Sequence, residues 1–371
     1  MKVVCDRSAL LDVVNVVGGV VVSRTPQPVL KCVKLTAGSD DGLMITATDL
    51  EIGLRLGVDQ VSVEAEGEAL VPADKFIQIV RACDESTLTI ETDNHTVHIR
   101  SADSHFSVFG VDPKEFPPVR DLGDAEVDCE IVAGQLSTLI SRTLFAAATE
   151  HSRYAINGVL FEREGKKIRM VATDGRRLAV ARGECKSGTG ESSCIIPTKA
   201  LRLVSKLIDD PESTVRMAVE DGQIFIAIGE GPDAAVLSSN LVEGAFPPFE
   251  DVIPKDQDKR VTFEAQALSK AVRRAALLTN EESKGVRLSF HDDKLTLTSR
   301  APEMGEATVE VDMDEYQGEP LEIGFNPNFI TDALSVVDSQ NVIIELKAPN
   351  KPGMLRSGND FTYVLMPVNL S

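Results

Sequence analysis

Apolar residues recur along this chain at two periods, and the two alternate in blocks. Leu136, Leu139, Ile140 and Leu144 fall at i, i+3, i+4 and i+8, the spacing of one buried helical face. The same pattern predicts helices over 7–17, 73–83, 133–147, 198–208, 264–278 and 326–337. Pro72 and Pro197 mark the starts of two of them, where a helix tolerates proline. Between the helices lie short stretches with strand patterning, such as 43–56, 158–181 and 286–311. Val215–Val219 and Gln223–Ile228 flank Asp221-Gly222, a strong hairpin signal.

The blocks themselves repeat. Ile45-Thr46-Ala47-Thr48-Asp49, Met170-Val171-Ala172-Thr173-Asp174 and Leu295-Thr296-Leu297-Thr298-Ser299 are spaced by 125 residues. Phe116-Pro117-Pro118-Val119 returns as Phe246-Pro247-Pro248-Phe249. A period of this length is too long for a solenoid and fits three copies of a whole domain. The expected fold class is α+β, three similar domains over 1–122, 123–253 and 254–371, each with two helices packed on about eight antiparallel strands.

Composition narrows the class. Hydrophobic residues make up 43% and charged residues 26% of 371, as in a soluble globular protein. No apolar run is long enough to span a bilayer, and charges interrupt the first residues before a signal core forms, so a cytoplasmic location is expected. Cys5, Cys32, Cys83, Cys129, Cys185 and Cys194 are scattered without a C-x-x-C pair, and free thiols are expected.

The net charge of −20 argues against nucleic acid until its distribution is considered. The six predicted helices carry Arg7, Lys75, Arg81, Arg142, Lys199, Arg202, Lys206, Lys270, Arg273 and Arg274 against Asp12, Asp74, Glu264 and Asp332. That is +6 on the helices and −26 elsewhere. The distribution admits two readings: ordinary solvated helix faces, or a basic surface in an acidic body that holds a polyanion without reading bases. Arg202 with Lys206 and Lys270 with Arg274 are i, i+4 pairs, each on one helical face.

Several motifs occur in order over the whole chain. They are Ala47-Thr48-Asp49-Leu50-Glu51, Arg153-Tyr154-Ala155-Ile156-Asn157-Gly158, Val171-Ala172-Thr173-Asp174-Gly175-Arg176-Arg177-Leu178-Ala179, Gly285-Val286-Arg287-Leu288 after Thr279-Asn280-Glu281, Ile323-Gly324-Phe325-Asn326, and Tyr363-Val364-Leu365-Met366-Pro367. In these the chain resembles the bacterial sliding clamps, the beta subunits of DNA polymerase III. The resemblance implies a head-to-tail homodimeric ring around duplex DNA that tethers the polymerase and is loaded by a separate complex. A lattice estimate agrees with two chains: six helices side by side leave a hole of only about 9 Å, twelve a hole near 28 Å.

The resemblance also implies sites. Partners would insert a short peptide among Arg153, Ile156, Thr173, Gly175, Arg176, Arg177, Leu178, Pro247, Val252, Met354, Val364, Leu365, Met366, Pro367 and Val368. Aliphatic walls with a few polar groups suit such an anchor. Arg176 stands where the family usually has histidine, and Asp251 and Asn369 stand where basic residues are common, which shifts the polar rim. Asp174-Gly175 read alone is an ordinary hairpin turn. DNA contacts would include Arg24, Arg153 and Tyr154 besides the helix cations, with Asp74 replacing a usual basic residue. Lys75, Phe106 and Val108 would meet Leu277 and Leu278 of a second copy, although the two leucines also suit an internal core.

Enzymatic chemistry finds no foothold. No P-loop, G-x-S-x-G or H-E-x-x-H occurs. His95 and His98, with His105 nearby, invite a metal reading, but strand positions i and i+3 face opposite sides, so no metal site is expected. Asp49 and Asp174 are equivalent positions of different repeats rather than a catalytic pair. No cofactor is expected, and the remaining alternative to a clamp is a repeat scaffold for protein partners only.

Overall fold

In the computed structural model, residues 1–40, 42–123, 125–149, 156–188, 190–230, 234–279, 285–291 and 293–369 are described, at 314 and 315 by backbone alone. Arg153 and Tyr154, and part of the stretch following Thr279, lie outside the described residues. Six α-helices appear where the periodicity places them: α1 (Arg7–Val17), α2 (Ala73–Ala82), α3 (Ala133–Leu144), α4 (Thr198–Leu207), α5 (Ala265–Ala276) and α6 (Pro327–Ser335). Local chemistry sets their ends. The Asp6 carboxylate accepts from the Ala9 N–H at the start of α1, and the Asn326 side chain accepts from the Asn328 N–H beside Pro327 at the start of α6. The predicted 133–147 helix stops at Leu144, because the Ala146 and Ala147 N–H groups bond three residues back, to Thr143 and Leu144, in tight turns.

The strands form four sheets in which every pairing is antiparallel. A five-stranded sheet runs Val61–Ala65, Lys2–Asp6, Thr87–Asp93, Thr96–Arg100, His105–Phe109. A nine-stranded sheet runs Ser187–Gly188, Cys129–Val132, Thr214–Glu220, Gln223–Ile228, Ala235–Asn240, Ile52–Val58, Gly42–Thr48, Cys32–Gly38, Gly67–Pro72. A second nine-stranded sheet runs Glu191–Pro197, Gly158–Glu164, Lys167–Thr173, Arg177–Glu184, Phe361–Leu365, Gly353–Ser357, Asn341–Leu346, Lys259–Glu264, Asp314–Gln317. A four-stranded sheet completes the set: Gly305–Asp312, Lys294–Ala301, Val286–His291, Leu321–Phe325. Asp221 and Gly222 take φ of 53° and 76° between two paired strands, the geometry of the expected hairpin turn.

Each nine-stranded sheet is assembled from two sequence repeats. Ala235–Asn240 of the second repeat pairs with Ile52–Val58 of the first, and Arg177–Glu184 of the second pairs with Phe361–Leu365 of the third. The chain accordingly divides into two compact units that cut through the second repeat: 1–137, 185–189 and 199–241 in one, 138–184, 190–198 and 242–371 in the other. Each unit holds one nine-stranded sheet built across two repeats, so compactness follows the sheets rather than the repeats. In the first unit Leu122, Ala218, Phe225 and Ala227 form a buried cluster. In the second, Leu160, Val171, Leu178, Val180, Ile195, Phe249, Met354 and Val364 do so. All six cysteines are buried, and no disulfide joins any two of them among the described residues.

Candidate functional site

The sequence echo around Asp49 and Asp174 is a turn built twice from the same atoms. The Thr173 hydroxyl donates to the Arg177 carbonyl at 2.7 Å and accepts from the Gly175 N–H at 3.1 Å. The Asp174 carboxylate accepts from the Arg176 and Arg177 N–H groups at 2.9 and 3.1 Å. In the first repeat Thr48 bonds the Ile52 carbonyl and the Leu50 N–H, and Asp49 accepts from Glu51 and Ile52. Both turns need a left-handed residue after the aspartate. Gly175 supplies it with φ of 85°, and Leu50 takes φ of 76°, a conformation uncommon for a residue with a Cβ. The third copy has no such turn: Ser299 continues within the strand Lys294–Ala301 and donates its hydroxyl to the Ala275 carbonyl at 2.6 Å.

The two turns differ in the cation that each aspartate holds. Asp49 receives Lys199 of α4 at 2.5 Å. Asp174 receives the adjacent Arg177 at 3.0 Å, and the other arms of that guanidinium reach the Asp332 carboxylate at 2.6 Å and the Phe145 carbonyl at 2.8 Å. The guanidinium carbon lies 4.4 Å from the Phe329 ring centre and 5.5 Å from that of Phe145. Burial is the largest influence and opposes the charge, but the bond to Asp332, the contact with Tyr363 and the charge of Asp174 together outweigh it and hold the guanidinium above its ordinary pKa. Tyr363, fully buried beside Phe145 and Phe361, has its phenol pushed up by burial. Arg177 therefore positions the turn against α6, with each of its three guanidinium nitrogens already donating to a protein group.

The structure sorts the predicted pocket residues into layers. Leu178, Met354 and Val364 are 3%, 2% and 1% exposed within the second unit's core cluster, so they form a floor rather than open walls. Ile156, Thr173 and Leu365 are also buried. Val242, Phe246 and Ile253 pack against that cluster from the partly exposed side, and none of these three was named as a pocket residue from the sequence. Their signal was the repeated Phe-Pro-Pro segment, which places an apolar side chain beside two prolines. Arg176, Val252 and Met366 are exposed, and Pro247, Pro367 and Val368 are half-buried. The tail is strapped down by the Met366 N–H on the Arg176 carbonyl and the Val368 N–H on the Gly324 carbonyl, both at 2.9 Å. Met366, Pro367 and Val368 line a cavity of about 540 Å³ with Ile323, Gly324 and Arg287.

The helix cations divide likewise. Arg202 and Lys206 of α4 and Lys270, Arg273 and Arg274 of α5 are exposed and form no ion pair with any described residue, and Arg24 is exposed on the loop after α1. Arg81 is exposed and donates to the Asn15 side chain, while Arg7 donates to the Val80 and Arg81 carbonyls at the end of α2. Arg142 departs from expectation. Its side chain is 8% exposed, paired with Asp360 at 2.7 Å and Asp338 at 3.5 Å, and 5.8 Å from the Phe361 ring centre. It is a buried guanidinium held by two exposed carboxylates, not a free surface cation. With Arg142 set aside, α3 offers no exposed cation and α6 has none in its sequence, so the remaining helix cations are on α1, α2, α4 and α5.

Three family models match in order along the chain: DNA polymerase III beta subunit, N-terminal domain over 1–120, central domain over 130–248, and C-terminal domain over 250–369. The chain belongs to the DNA polymerase III beta subunit family. The beta sliding clamp of Vibrio cholerae is 33% identical over 376 residues, with each chain covered completely. A crystal structure of the Pseudomonas aeruginosa sliding clamp bound to griselimycin superposes with a TM-score of 0.90 at 32% identity, and that of the Bacillus subtilis clamp with 0.92 at 27%, each over the full length of both chains. For this beta-subunit chain, the Thr-Asp turns, the basic helices and the strapped tail are thus features of a clamp scaffold. Among the described residues no helix is long and apolar enough to cross a membrane.

Proposed function

We infer that this chain is a DNA sliding clamp: two copies close head-to-tail around duplex DNA and tether the replicative polymerase, with no catalytic step of their own. The single observation behind this reading is the ordered, end-to-end match of all three beta-subunit domains. The three domains are taken as 1–122, 123–253 and 254–371, and the place of work is the cytoplasm, where the chromosome lies.

Sequence-independent hold on DNA falls to Arg24, Arg202, Lys206, Lys270, Arg273 and Arg274, with Arg7, Arg81 and Lys199 beside them and Arg153 and Tyr154 as further contacts. Phosphate contacts of this kind are loose enough to slide and weaken with salt. The acidic remainder of the molecule keeps duplex off its other surfaces.

Polymerase and loader peptides dock over the floor of Leu178, Met354 and Val364, between Val252 and the tail Met366–Val368, with Arg176 on the rim. The dimer seam joins Lys75, Phe106 and Val108 to Leu277 and Leu278 of the second copy. Leu277 is 76% exposed just past the end of α5, and Phe109, which sequence reasoning passed over, is 82% exposed. Two edge strands support the reading: His105–Phe109, which ends on Phe109, and Gly305–Asp312 of the third repeat each end a sheet and leave backbone groups open to pairing.

Retention on nicked circular DNA tests the function. The chain stays on the circle at moderate salt and leaves when the circle is linearised. A scaffold for proteins alone gives no topology dependence. Arg202→Glu with Lys206→Glu lowers retention, whereas Arg142→Ala acts on folding instead.

A further inference from the structure

On the outward face of the five-stranded sheet, two histidines from adjacent strands meet. His98 lies in Thr96–Arg100 and His105 in the edge strand His105–Phe109, one diagonal step apart, since His98 is opposite Ser107 and His105 is opposite Arg100. The His98 Nδ1 is 3.2 Å from the His105 Nε2 and 3.0 Å from the Ser107 Oγ. The ring centres are 5.3 Å apart with planes inclined by 39°. The third histidine of the region, His95, sits with Asn94 in the hairpin turn at positive φ and takes no part in this contact. His95 is separated from His98 by its place in the turn, not by strand parity as expected, and the cross-strand pair of His98 and His105 lies outside that expectation.

The separation suits a metal ion. Zinc–imidazole bonds are about 2.0–2.1 Å. Two such bonds spanning the 3.2 Å gap subtend an angle of about 100–106° at the metal, close to tetrahedral. Binding requires a free lone pair on both facing nitrogens, so the proton shared between the rings moves to a distal nitrogen or to solvent, and each ring turns until the lone pairs converge beside the N···N line. His105 is exposed and His98 half-buried, which leaves room for that rotation and for water in the remaining coordination positions.

The charges facing the pair are mixed. Glu91 is directly opposite His98 and favours a cation, while Arg100, opposite His105, is bound to Glu91 at 2.6 Å and offsets it. Lys2, on the far side of Glu91, is held by Glu64 at 2.7 Å. No described group of three or more His, Cys, Asp or Glu is gathered for a metal, so any ion here has two protein ligands. A neutral two-imidazole site favours zinc, nickel and copper(II) over magnesium or calcium.

We propose that His98 and His105 form a bidentate surface site for an imidazole-preferring divalent transition metal, which staples the edge strand His105–Phe109 to its neighbour. The site is argued from its own geometry, and because the proposed dimer seam includes Phe109 of the same edge strand, binding is read on both the dimer and the Leu277→Ala, Leu278→Ala variant.

The test uses the full-length chain freed of any affinity tag, titrated with zinc chloride and separately with nickel chloride by calorimetry, with imidazole proton–nitrogen spectra recorded alongside. The expected result is one binding event per chain that perturbs the signals of two histidines. His98→Ala and His105→Ala each weaken it by more than the ~10-fold that losing an outer-sphere partner costs, and His95→Ala leaves it unchanged. Saturating zinc raises the melting temperature of the wild type and not of the His98→Ala, His105→Ala double variant. Absence of wild-type binding, or equal binding by the double variant, overturns the proposal. Circular dichroism of each variant separates loss of the site from loss of the fold.

Discussion

Arg177 and Asp332 are 155 residues apart in sequence and 2.6 Å apart in space, and this one contact anchors the Thr173–Arg177 turn to helix α6. The guanidinium also bonds Asp174 and the Phe145 carbonyl and stacks near two phenylalanine rings, so a single side chain fixes three segments of the second unit. Replacing Arg177 by alanine strands the Asp174 and Asp332 carboxylates in a partly buried setting. A loss of about 2–3 kcal/mol in urea unfolding is expected. Lysine in its place recovers only part of this, because an ammonium cannot reproduce the fork. A variant as stable as the wild type would show the contact to be incidental.

Under the proposed function the tail is expected to contribute to partner binding through its exposed and half-buried side chains rather than through the core strand that precedes it. Removing residues 366–371 leaves Val364 and Leu365 paired with Leu178 and Arg177, so the fold is retained. Fluorescence anisotropy with a labelled polymerase-derived peptide is expected to show loss of binding, with circular dichroism unchanged. Saturation at the wild-type affinity would move the pocket elsewhere.

Leu277 places a large apolar side chain in solvent, and burying such a group is worth about 1.5–3 kcal/mol. Leu277→Ala with Leu278→Ala is therefore expected to shift sedimentation from dimer to monomer, and Phe109→Ala to weaken the dimer in the same direction. A dimer of unchanged stability in all of these would remove the seam from this face.

Stability is expected to fall in alkali. Burial pushes the Cys5 thiol up to about 12 from an ordinary value near 9.0, and the Tyr363 phenol is raised for the same reason. A raised folded-state value means that the native protein holds the proton more tightly than the unfolded chain. That stabilisation is complete below about pH 9 and is lost as pH rises towards 12. Urea midpoints measured at pH 8, 10 and 11.5 should decline, and Cys5→Ala should flatten the decline. An identical slope in that variant would assign the effect to other groups.

Much of this protein was legible in one dimension. Helix positions followed from spacing such as Leu136, Leu139, Ile140 and Leu144, because a buried helical face imposes its period on the sequence directly. The Thr-Asp echo announced a repeated turn, because its hydrogen bonds are made by residues two to four positions apart. The family motifs carried the function for the same reason: they are contiguous.

Tertiary structure decided what depends on partners distant in sequence. Arg142 and Arg202 are alike as letters on a helix, yet the first is buried beside Phe361 and paired with Asp338 and Asp360 while the second stays in water. Leu178, Met354 and Val364 read as pocket walls and became its floor, because strand pairing between the second and third repeats places them in a single core. His98 and His105 met across a strand register that no periodicity in the sequence encodes. Local periodicity and local hydrogen bonding are written along the chain; burial, ion pairing and cross-strand proximity depend on which distant segments the sheets bring together.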